Sequence, residues 1–113
     1  SAASDVYKRQ AYREQYDLCV SRAVSNLATL SEYCLPYVKV GGNFISYKSG
    51  TVQEELQQAE KAVKILGGKI QDVVYFNLPD SEIQRSLVVI EKMKPTPGRY
   101  PRKAGTPLKE PLS

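Results

Sequence analysis

Two apolar runs near the end of the chain, KIQDVVYFNL (Lys69 to Leu78) and RSLVVIEKM (Arg85 to Met93), are separated only by the polar link from Pro79 to Gln84. Both are rich in β-branched residues, and Gly68 and Pro79 bound the first, so each reads as a strand. Parallel strands need a crossover of a dozen or more residues. This link is too short for one, so the two strands must pair antiparallel.

Upstream the pattern alternates. DLCVSRA, Asp17 to Ala23, carries Leu18, Cys19 and Val20 as a short apolar run and is expected as a buried strand. Ser25 is placed to cap a helix, NLATLSEYCL, whose Leu27, Leu30 and Cys34 share a face. Pro36 lies near its end, and Gly41-Gly42 is expected to turn the chain into a second strand, NFISYK. The strongest helix signal follows. Thr51 and Glu54 form a capping-box pattern, and Val52, Leu56, Ala59, Val63 and Leu66 recur at spacings of four and three. Glu54 and Glu55 lie near the positive end of its dipole, Lys61 and Lys64 near the negative end, and Gly67 stops it. The order strand, helix, strand, helix, strand, strand, tail describes half of an α/β sheet closed by an antiparallel pair. The Gly-Gly pairs at 41–42 and 67–68 each precede a strand, the wrong side for cradling a nucleotide.

At 113 residues the chain can bury one small core. It has no long apolar run and no secretory signal, so the expected compartment is the cytoplasm, with no membrane association. With no His, a Cys/His zinc site and a His-based triad are excluded. Cys19 and Cys34 lack CxxC or metal-ligand spacing and read as reduced, buried thiols, with no metal expected. Charge is uneven. From Lys92 onward six basic residues face Glu110 alone, a net +5 that leaves −1 on residues 1–91 out of the chain's +4. The opening SAASDVYKRQ reads like a translated sequencing adapter, whose transposase end encodes Asp-Val-Tyr-Lys-Arg-Gln in one frame. Residues 1–10 are therefore set aside, against the alternative of a native polar helix start. On that reading the gene is cut at about Ala11.

YDLCVSRAVSNLATLSEYCLPYVKVGGNFISYKSG and LVVIEKMKPTPGRYPRKAGTPLKEPL closely resemble the C-terminal half of the bacterial 16S ribosomal RNA guanine-N7 methyltransferases, the glucose-inhibited division protein B family. The resemblance runs from about Tyr16 to Leu112. Its most specific pieces are Ser21-Arg22-Ala23-Val24 and the ending Lys94-Pro95-Thr96-Pro97 with Tyr100 to Pro107. It implies a class I (Rossmann-like) S-adenosylmethionine-dependent methyltransferase, mainly parallel and ending in the antiparallel pair, of which this chain holds strands four to seven. Residues 11–94 are then a partial methyltransferase domain and 95–113 a basic, Pro-rich C-terminal tail. The Gly-rich cofactor motif and the ribose-binding acid would lie upstream of the chain, which is therefore expected to be inactive alone.

By position the resemblance assigns Arg22 to the S-adenosylmethionine site, at the C-terminal end of the first strand; a surface ion pair is the alternative. Lys48 is a candidate substrate contact or a solvated lysine. The family commonly reads Leu-Lys-Gly there, and this chain reads Tyr47-Lys48-Ser49-Gly50. No catalytic residue is assigned. Guanine N7 offers a lone pair at neutral pH, so methyl transfer needs no general base, and proximity and orientation suffice. The partner implied is 16S rRNA or the small ribosomal subunit, bound by a protein monomeric at full length. Arg99, Arg102, Lys103 and Lys109 suit phosphates, and Tyr100 suits stacking on a base or ribose. A disordered, solvated tail is the alternative, although Pro101, Pro107 and Pro111 favour an extended, restrained strap. A non-enzymatic RNA- or ribosome-binding module working through that tail is the competing function.

Overall fold

A computed structural model describes residues 12–22, 25–49 and 52–112. Strands β1 (Tyr16–Ser21), β2 (Val38–Ser49), β3 (Gly68–Asn77) and β4 (Gln84–Lys92) form one sheet in the order β1-β2-β4-β3. β1 and β2 are parallel, and β4 lies antiparallel to both β2 and β3. The short link thus produces the expected antiparallel pair, and the last strand inserts between its predecessor and β2. Helices α1 (Leu27–Cys34) and α2 (Gln53–Ile65) pack on each other and on one sheet face. Their apolar sides meet Val38, Phe44, Val88 and Ile90.

α2 follows its apolar periodicity: Val52, Ala59, Val63 and Leu66 are buried and Leu56 packs against them. Gly67 ends it at φ +91°, a conformation that favours glycine. Thr51 lies outside the described residues; the cap position is Val52, which makes no side-chain cap bond. α1 is capped by Asn26 instead of Ser25, its side chain accepting from the Thr29 amide at 2.9 Å. Both residues are good caps, and the backbone's entry into the helix decides between them.

Two further expectations are corrected. Gly41-Gly42 lies inside β2, which runs unbroken from Val38, and the β1–β2 register is irregular there. A Cβ on Gly42 would stand 2.6 Å from the Asp17 carbonyl oxygen, so close approach of β1 requires glycine. β1 is also not a buried strand. Leu18 is 53% and Val20 58% exposed. Both helices cover the opposite face, which leaves Leu18 and Val20 exposed beside Ile45 on β2.

Candidate functional site

Because β1 and β2 are parallel, their C-terminal ends lie together, which is where open α/β sheets bind ligands. Arg22 follows the last residue of β1 and is exposed, its guanidinium 5.2 Å from the centre of the Tyr47 ring on β2. The ring restrains the cation at the mouth of the sheet. Lys48 behaves differently. Its side chain is buried, its Nζ donates to the Ser25 carbonyl at 2.5 Å and pairs with Glu55 at 3.1 Å. It ties β2 to the entrance of α1 and to the first turn of α2. Lys48 is neither a solvated lysine nor presented to RNA.

The C-terminal segment is a packed element. Thr96 is buried and its Oγ1 donates to the Leu66 carbonyl at 2.6 Å. A single helical turn, α3 (Thr106–Lys109), lies against α1, where Thr29 Oγ1 donates to the Pro107 carbonyl at 2.9 Å. This corrects both the disordered tail and the extended strap: the segment folds back over α1. Tyr100 is 6% exposed and belongs to the core, so it is unavailable for stacking on a base. Arg102 is engaged as well. Its Nε and Nη2 reach both carboxylate oxygens of Glu32 at 2.8–3.1 Å, its amide donates to Glu32 at 2.7 Å, and Nη2 donates to the Glu110 carbonyl at 2.6 Å. The Glu32 carboxylate pushes the Arg102 guanidinium still further toward its charged form. Arg99 (its guanidinium 5.1 Å from the Tyr100 ring centre), Lys103 and Lys109 remain exposed. Of the six basic residues from Lys92 onward, Lys92 is fully buried and Arg102 is paired.

A model of the GidB family, described as rRNA small subunit methyltransferase G, matches residues 3–88. The chain belongs to the GidB family. A ribosomal RNA small subunit methyltransferase G from Acetivibrio thermocellus is 56% identical over 102 residues, 90% of this chain and 42% of the relative. One from Lachnoclostridium phytofermentans is 53% identical over 110 residues, 97% of this chain and 46% of the relative. The chain thus spans about half the length of the curated relatives it matches. Among solved structures, an arsenic(III) S-adenosylmethionine methyltransferase from Chlamydomonas reinhardtii overlays at a TM-score of 0.38 with 14% identity, over 82% of this chain and 42% of its own. That likeness is too loose to inform the site.

Within this member of the GidB family, three polar residues that hold the C-terminal segment and the sheet together carried no functional reading in the sequence. Glu32, fully buried, was legible only as the single charge in LATLSEYC. Arg13 donates to the carbonyls of Thr96 and Pro97, both at 2.8 Å, and to that of Tyr100, clamping the loop that precedes α3. Nothing in its neighbourhood in the sequence marks it. Lys92 donates to the Leu35 and Val38 carbonyls at 2.7 and 2.8 Å, and burial holds its pKa down to about 8 despite Glu14 at 3.9 Å. The cysteines are free and half-buried, and their thiols meet. The hydrogen bond with Cys34 holds Cys19 down to about 7, and the same contact together with burial pushes Cys34 up.

Proposed function

We propose that this chain is the C-terminal part of an enzyme that transfers a methyl group from S-adenosylmethionine to N7 of a guanine in 16S rRNA. The observation that supports it most is the family match over residues 3–88, beside relatives that are themselves ribosomal RNA small subunit methyltransferases. Arg22 fits one wall of a cofactor site: it stands exposed at the C-terminal end of β1, restrained over Tyr47. S-adenosylmethionine, when bound, supplies the methyl group from a sulfonium centre. Methyl transfer to N7 would use the base's own lone pair, so no residue of this chain would have to take a proton first. A chain without His is therefore chemically adequate. The work of its residues is to bind and to orient, which is worth roughly 7–11 kcal/mol in favourable cases.

Arg99, Lys103 and Lys109 take phosphates of the RNA, whose target base must be splayed out because N7 faces the deep groove of A-form helices. The protein works in the cytoplasm, as a monomer at full length, without a metal or a membrane. Among the described residues no helix is long and apolar enough to cross a bilayer. By themselves the 113 residues do not turn over, since their Gly pairs lie within β2 and at the start of β3, away from the ligand end. Tritium transfer from S-adenosylmethionine to unmodified 16S rRNA tests this. Background counts are expected from the isolated chain, and clear turnover by it would contradict the assignment of cofactor binding to an upstream half.

A further inference from the structure

Four lysines stand at the end of the sheet opposite Arg22. Lys61 and Lys64 lie on the last turns of α2, Lys69 at the start of β3, and Lys94 just after β4. All four are exposed, and none has a carboxylate within 4.0 Å among the described residues. Lys64, Lys69 and Lys94 rim an open groove of about 650 Å³ between α2 and β3, floored by Leu56, Val63, Ile70 and Met93. Lys61, Lys64 and Lys94 rim an adjoining hollow of about 610 Å³ walled by Pro95 and Pro97. Among the described residues Glu60 is the single acid lining the first, and no acid lines the second.

The helix dipole accounts for part of this cluster, because cations are favoured at the C-terminal end of α2. That explains Lys61 and Lys64. It does not explain Lys69 and Lys94, which come from strand ends and converge on the same rim. The cluster also joins the start of the C-terminal segment through Pro95 and Pro97, which leads on to Arg99. Unpaired, exposed lysines converging from three elements form a point-charge surface suited to phosphates.

We propose that this lysine-rimmed groove is a second docking site for the ribose–phosphate backbone of folded RNA. The proposal rests on the RNA methyltransferase reading above and adds where the RNA is held and how large it must be. β1 and β2 run toward Arg22 and Lys48, and α2 returns over 13 residues, about 20 Å at 1.5 Å per residue. A phosphate on Lys64 or Lys94 therefore lies about 20 Å from the cofactor end of the sheet. At about 3.4 Å per stacked nucleotide a trinucleotide spans only about 10 Å and cannot occupy both ends, whereas a folded rRNA domain can. The RNA recognised is therefore large enough to be gripped at two poles.

The test compares binding of the 113-residue chain to a full-length unmethylated 16S rRNA transcript and to a single strand of about three nucleotides, too short to bridge the two poles, between about 50 and 200 mM salt. The Lys64→Gln/Lys94→Gln variant is expected to bind the transcript about tenfold more weakly. Its slope of log affinity against log salt should fall by about 1.5, since each phosphate contact contributes roughly 0.7–0.9. Affinity for the short strand should change less than twofold. These are surface substitutions, so an unchanged urea midpoint is expected to show that the fold is intact. Unchanged transcript binding, with loss only on Arg99→Gln/Lys103→Gln, would overturn this site and leave the methyltransferase reading standing. Equal loss on both probes would overturn the two-pole grip. Displacement of the transcript by polyglutamate at matched charge would assign the groove to acidic peptide instead, and no binding to either RNA would overturn the proposal outright.

Discussion

A carboxylate with no exposed surface is tolerable only where charge and hydrogen bonds reach it, and Glu32 receives both from Arg102. Removing one partner leaves the other buried and uncompensated. Arg102→Ala is expected to cost about 3 kcal/mol in urea unfolding, and a loss below about 0.5 kcal/mol, the level of an exposed pair, would contradict the anchoring role. Lys92 gives a pH test. Its folded pKa is about 8 and its ordinary value 10.5, because burial disfavours the charged form. Between those values the unfolded chain holds the proton and the folded chain does not, so stability rises with pH there, by up to about 1.4 kcal/mol per unit. Below pH 8 the penalty is full and constant. Urea unfolding at about pH 8 and pH 10 should show the wild type gaining on Lys92→Met across that window, and parallel behaviour would refute the buried, depressed lysine.

At the scale of elements, α2 and the turn after it carry most of the packing that a short sequence can specify. Gly67 shows why the helix stops where it does. Its carbonyl accepts from the Met93 and Lys94 amides, its φ is +91°, and a Cβ there would stand 2.3 Å from the Lys94 carbonyl oxygen. Gly67→Ala is expected to destabilise by about 2 kcal/mol or more, from left-handed strain plus displacement of the strand end. A thermal midpoint within a degree of wild type would contradict that geometry. The α2 stripe, the Gly67 stop and the antiparallel β3–β4 pair were all legible, because period, glycine and link length are local signals. The interior Gly41-Gly42 was not. A glycine pair signals a turn and a close approach equally well, and only the presence of β1 beside Gly42 selects the second.

Across the whole molecule, the same limit separates what the C-terminal segment revealed from what it concealed. Its wording pointed to the family and its charge to RNA, but Tyr100 and Arg102 face inward because α1 presents Glu32 and an apolar flank some seventy residues earlier in the chain. Long-range partners such as Arg13 with Tyr100 leave no local pattern. One practical consequence concerns deletion of residues 95–113. It would strip Tyr100 and Pro107 from the packed face and orphan Glu32, so lost RNA binding in such a truncation would report unfolding instead of a lost contact. If residues 11–113 complete a guanine-N7 methyltransferase as proposed, a chimera in which they replace the matching segment of the Acetivibrio thermocellus relative will show it. The chimera is supplied with S-adenosylmethionine and unmodified 16S rRNA, and the nucleosides are identified after digestion. The prediction is 7-methylguanosine formed by the chimera and sharply reduced by Arg22→Ala; a folded chimera that binds the RNA yet yields no 7-methylguanosine would contradict it.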